Sequence, residues 1–96
     1  EPEKLCAFLV GAGESSQSEV RKLAAELRGI GLSCQYDLDG RSLKAQFRAA
    51  DRTGAKFALV IGEDELAKGE VSVRNLATGE QQCVVRGEVV EWLGRA

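Results

Sequence analysis

The run Lys56–Ile61 (KFALVI) constrains the fold more than any other segment. It is short, apolar and stopped by Gly62, and it reads as the central strand of a sheet. A central strand needs neighbours on both sides and cover on its faces, so the rest of the chain has to supply further strands and helices. It supplies them in alternation. Leu5–Val10 is a second apolar run, bounded by Gly11. Gly11–Ser18 reads as a loop, and Ser16–Glu19 has the S-x-x-E form of a capping box. Val20, Leu23, Ala24, Leu27 and Ile30 then fall on one face of an amphipathic helix, which Gly29 and Gly31 end. Leu32–Tyr36 is a short strand and Asp37–Arg41 a polar turn. Ser42 is placed to cap a second helix whose core face is Leu43, Phe47 and Ala50, and which stops near Gly54.

After the central strand comes a charged turn, Glu63–Lys68, with at most one helical turn. Val71 and Val73 alternate with Ser72 and Arg74, the pattern of a half-exposed strand. Ala77, Thr78 and Gly79 form a hairpin-like turn, and Gln82–Val85 returns as the partner strand. Val89, Trp92 and Leu93 mark a final helix. The order βαβαβ-ββ-α predicts three parallel strands joined by crossovers, then an antiparallel hairpin. The expected fold is α/β, a three-layer domain with a mixed sheet covered by helices. At 96 residues the chain reads as one domain, 1–96, with a single core.

Composition narrows the chemistry. The chain has no histidine, which removes Ser-His-Asp and Cys-His sites and imidazole metal sites. Thirteen Lys and Arg against fifteen Asp and Glu give a net charge of −2, so this is not a general nucleic-acid coat protein. Any nucleic-acid contact has to be local and shaped. The three cysteines, Cys6, Cys34 and Cys83, show neither a CxxC pair nor zinc spacing. Each lies in an apolar run, as expected of reduced, buried thiols in a cytoplasmic protein. No run approaches the length of a membrane span. The opening Glu-Pro-Glu-Lys is not a signal peptide, and the chain has no methionine, which fits a domain excised at a linker.

Three segments invite functional readings. Gly11-Ala12-Gly13-Glu14-Ser15-Ser16 sits where a phosphate loop would, but the third glycine position holds Ser16, Glu14 would face a phosphate, and there is no Walker lysine. A turn with a helix cap accounts for it better than nucleotide binding. Lys44, Arg48 and Arg52 follow i, i+4, i+8 spacing, with Arg41 just before them. They form either a solvated face, partly neutralised by Asp51, or a phosphate track. Glu63, Asp64 and Glu65 lack the spacing of a calcium or magnesium loop. They read as a solvated turn, or as a carboxylate that accepts from a base while Arg74 pairs with a guanine edge or a phosphate.

The ordered motifs resemble a known family. Ser42–Gln46 is similar to its S-L-K-x-Q helix start. Ala50–Ala55 matches A-D-x-x-G-A, and Gly62–Gln81 matches G-E-x-E-x-A-x-G-x-V-x-V-[KR]-[DN]-L-x-[ST]-G-E-Q. Leu23–Gly31 fits L-A-x-x-L-R-x-x-G, and only the GAGESSQ loop matches loosely. Over nearly its whole length the chain resembles the C-terminal anticodon-binding domain of bacterial histidyl-tRNA synthetases, a class IIa domain. The resemblance implies a five-stranded mixed sheet flanked by three helices. It implies recognition of the histidine tRNA anticodon loop, beside the catalytic domain of a homodimeric parent that performs ligation with ATP and magnesium. No class II catalytic motif is present, so the chain alone is expected to have no ligase activity and no cofactor. Carried over by position, the RNA-contacting residues are Glu65 and Arg74, with Lys44, Gln46 and Arg41 at the start of the second helix. The alternative is the same fold serving as a protein-interaction or regulatory module in a synthetase-like protein that is not a ligase.

Overall fold

The computed structural model describes residues 7–11, 14–36 and 43–95. Nine elements follow one another: β1 (Ala7–Gly11), α1 (Glu14–Gly29), β2 (Cys34–Tyr36), α2 (Leu43–Thr53), β3 (Phe57–Ile61), α3 (Glu63–Lys68), β4 (Glu70–Asn75), β5 (Gln81–Val85) and α4 (Val89–Arg95). The five strands form one sheet in the order β2-β1-β3-β4-β5. β1 pairs in parallel with β2 and β3, while β4 is antiparallel to both β3 and β5. The central strand that KFALVI predicts is present as Phe57–Ile61, with Lys56 just outside it, and the mixed sheet is the expected one. The expectation of three helices is corrected to four among the described residues, because Glu63–Lys68 closes as a helix rather than a turn.

Strand alternation sorts the core into two unequal halves. On one face Leu9, Leu59, Ile61, Val71 and Val73 meet Val20, Leu23 and Leu27 of α1 and Val89 and Leu93 of α4. Phe57 and Trp92 close this half with an edge-to-face contact, ring centroids 5.5 Å apart. On the other face Phe8 and Val10 meet Ala50 and Ala55, with Phe47 and Val60 alongside. Among the described residues α2 is the helix on that side. It lies over β1 and leaves β4 and β5 uncovered there, so Arg74, Gln81, Cys83 and Val85 are exposed.

Some sequence expectations change. α1 begins at Glu14, so Ser16 lies inside the helix, buried, and does not cap it. Ile30 falls past the end of α1 and is 53% exposed, so it is not core. Cys34 is buried and its thiol faces the Ala24 carbonyl, but Cys83 is exposed, because β5 is an edge strand whose outer face no described residue covers. Cys6, Arg41, Ser42 and the turn at 37–41 lie outside the described residues.

Two polar links hold the layers in register. Gly11 ends β1 two residues beyond the last β1–β2 pair, Leu9 with Tyr36. Its backbone N–H donates to Gln46 Oε1 (3.1 Å), and its carbonyl accepts from Gln46 Nε2 (3.0 Å) and Gln17 Nε2 (3.0 Å). The buried Gln46 carboxamide takes the place of a strand partner and fixes α2 to β1. The second link is Arg86, between β5 and α4. Its guanidinium donates to Glu19 (3.0 Å) and to Glu26 (2.6 Å) on α1. The hydrogen bond from Arg86 holds the Glu26 carboxyl below its ordinary range, against a smaller opposing effect of burial.

Gln46→Ala leaves a buried backbone N–H without its partner. We expect a loss of about 2–3 kcal/mol in chemical denaturation, or roughly 10 °C or more in Tm for a domain of this size. The depressed Glu26 pKa means that its stabilising effect is complete above the unfolded-state pKa and is lost as pH falls through the lower folded-state value. Stability curves measured from pH 6 to pH 2 should therefore show a shallower acid decline in Arg86→Met than in the parent. The variant should be about 1 kcal/mol less stable at neutral pH, an amount set by partly exposed pairs.

Candidate nucleic-acid interface

The residues that sequence reasoning singled out fall into two groups on the sheet. Gly11, the start of α2 and α3 gather at the end where the parallel strands terminate, since Gly11 pairs with Ile61 and α3 follows at Glu63. This is the end at which ligands meet open α/β sheets. Arg74 lies on the uncovered face, opposite Ala58, close to the other end of β3. From Ala58 to the last residue of β3 is about 10 Å of strand, so Glu65 and Arg74 face different parts of any ligand.

Glu65 is held by its own helix. Its Oε1 accepts the backbone N–H of Gly62 (2.8 Å), while Leu66 N–H donates back to the Gly62 carbonyl (3.0 Å). Gly62 suits the position, since a Cβ there would stand 2.9 Å from Glu65 Oε1. Glu63, Asp64 and Glu65 fill the first turn, where carboxylates meet the positive end of the helix dipole. Lys68 and the left-handed Gly69 (φ 69°) end the helix. These acids are a helix start, and among the described residues no three His, Cys, Asp or Glu side chains converge on a metal position. Glu65 is half-buried with one carboxylate oxygen fixed, which leaves the group orientated with a second oxygen to accept.

Arg74 is exposed, and its guanidinium sits over the Phe47 ring, 5.7 Å from the centroid. This cation–π contact draws the cation across the open face towards α2. The spacing of the sequence gives no sign of it, since Phe47 reads as a core residue of its helix. Arg48 and Arg52 are exposed on α2 beside Asp51. Lys44 belongs to the first turn of the helix by its backbone, and its side chain lies outside the described residues, as does Arg41. Gln46 differs from its expected role. It is 1% exposed with its carboxamide committed to Gly11, so it supports the surface from beneath and presents no edge to a ligand. Next to Arg74, Gln81 Nε2 donates to Ser72 Oγ (2.7 Å).

Residues 7–95 match the family of the anticodon binding domain. The chain is 43% identical over 86 residues to a histidine–tRNA ligase of Geobacillus thermodenitrificans, covering 90% of this chain and 20% of that protein. It is 47% identical over 77 residues to a histidine–tRNA ligase of Bacillus cereus, covering 80% of this chain and 18% of that protein. The chain thus spans about a fifth of the length of these relatives. The crystal structure of the apo histidyl-tRNA synthetase of S. aureus superposes with a TM-score of 0.90 at 36% identity, covering 95% of this chain and 27% of that one. The RNA binding domain of a threonyl-tRNA synthetase from Cryptosporidium parvum shares the fold, with a TM-score of 0.83 at 19% identity, covering 94% of this chain and 23% of that one.

Removing the Glu65 side-chain acceptor from the Gly62 N–H should loosen the start of α3. Glu65→Ala is expected to cost about 0.5–2 kcal/mol of stability, with faster amide hydrogen exchange concentrated at the start of that helix.

Proposed function

The chain belongs to the anticodon-binding domain family, and on that premise we propose that it reads the anticodon loop of histidine tRNA for a longer histidine–tRNA ligase in the cytoplasm. What carries the histidine assignment is the similarity to histidine–tRNA ligases over most of the chain, where likeness to the threonyl domain is one of fold alone. The same similarity favours a ligase parent over a regulatory module.

In this reading, ligation with ATP and magnesium belongs to the catalytic domain of the parent, which acts as a homodimer. This domain supplies selectivity. Arg74, steadied over Phe47, donates to an unstacked base or a phosphate. Glu65, steadied by Gly62, accepts from an N–H edge beyond the far end of β3. Lys44, in the first turn of α2, and Arg41, just before that helix in the sequence, meet the loop backbone, and Gln46 acts indirectly by fixing the helix to β1. A net charge of −2 gives little long-range attraction for RNA, so recognition rests on short contacts.

The test is a titration of the chain with the histidine tRNA anticodon stem-loop at low salt, beside a loop with a scrambled anticodon. We expect a preference for the histidine anticodon, and a loss of about 5- to 150-fold on Arg74→Ala if it reads a base edge, with unchanged circular dichroism. Equal binding of both loops would count against the reading.

A further inference from the structure

Four side chains share the strip of sheet that α2 leaves open. Arg74 and Gln81 are direct cross-strand partners, as are Ser72 and Cys83. By strand alternation all four point to the face that carries Phe47. Directly opposed residues of an antiparallel pair have Cβ atoms about 5 Å apart, so Arg74 and Gln81 reach one small ligand together. Both are exposed, and neither is under a helix among the described residues.

Gln81 does not hang free. Its amide crosses diagonally to Ser72, which is only 5% exposed, and donates one N–H to the hydroxyl at 2.7 Å. A carboxamide has two N–H donors and a carbonyl acceptor. With one donor held by Ser72, one N–H and the carbonyl remain for a partner. Arg74, held over Phe47, adds donors only. The pair thus presents several donors and one acceptor within the width of a nucleobase.

That array fits a base edge with a carbonyl next to a ring N–H, which is the edge of guanine or uracil. Adenine has no carbonyl for Arg74. In cytosine the carbonyl lies on the sugar side and the ring nitrogen is an acceptor. Resting on the anticodon-reading function above, we propose that Gln81 is a specificity-determining residue that, with Arg74, reads one keto base of the loop. Ser72 is then a positioning residue, which acts by holding the Gln81 amide.

The experiment titrates the chain with the histidine anticodon stem-loop and with a set in which each guanine or uracil of the loop is replaced singly by adenine. The starting protein should lose about tenfold in affinity for at least one replacement, the scale of one base-edge contact. In Gln81→Ala the discrimination at that position should disappear while discrimination at other positions remains. Gln81→Glu keeps the length but replaces the donating amide with acceptors, and should lose it as well. Ser72→Ala should reduce the same discrimination without moving it to another base. Thermal denaturation of each variant within a few degrees of the parent establishes that the sheet is intact. If both Gln81 variants keep every base preference of the starting protein, the proposal is overturned while anticodon reading stands. If the starting protein shows no base preference at any position, anticodon reading fails and the proposal fails with it.

Discussion

The packing of the two crossover layers depends on one buried amide. β2 has three residues and its pairing stops at Leu9, yet β1 continues to Gly11. A strand end that outruns its neighbour leaves backbone groups without a ladder partner, and in a buried position this is costly. Gln46 supplies both a donor and an acceptor from α2, and Gln17 adds a second donor from α1. Two helices on opposite faces of the sheet thereby meet at one peptide. Glycine is needed there for space: a Cβ would come within 2.9 Å of Val20 Cγ2 and 3.3 Å of the Ser16 backbone.

With that junction fixed, the sheet is loaded unevenly. α1 and α4 bury one face from β1 to β5, and the Arg86 clasp keeps the β5–α4 corner against α1. On the other face α2 is anchored at β1 and cannot also lie over β4 and β5. The polar alternation of β4 has no packing purpose without a cover, and Ser72 and Arg74 become the floor of an open strip. The same anchor brings Phe47 within range of Arg74. A packing decision at Gly11 therefore determines where a charged side chain stands on the opposite half of the sheet.

Much of this was legible in the sequence. KFALVI, the helix periodicity from Val20 to Leu27 and the Val71/Val73 alternation carry their own burial pattern, and the crossovers make the first three strands parallel, while the place of β1 between β2 and β3 came from the fold. What could not be read depends on contacts between distant residues. The S-x-x-E motif at Ser16 is locally sound as a cap, but α1 starts earlier and Ser16 lies under Gly11. Cys83 sits in an apolar run, and only the position of β5 at the sheet edge exposes it. Gln46 looks like a polar residue at the head of a helix, and its burial becomes visible only once Gly11, 35 positions earlier, is beside it. At the candidate interface the sequence offers charged and polar residue types, while the separation of Glu65 from Arg74 and the support given by Phe47 came from topology.

The edge position of β5 also has a colloidal consequence. Its five residues, QQCVV, carry no charge, and Val85 is 52% exposed. Edge strands usually resist continuation into a neighbouring molecule through lysines, prolines or bulges, and β5 has no lysine or proline. Its side chains alternate between the core, where Val84 is buried, and the open strip, while its outer backbone groups are directed sideways along the plane of the sheet. Among the described residues this edge therefore carries neither charge nor proline to oppose the addition of a strand from a second copy.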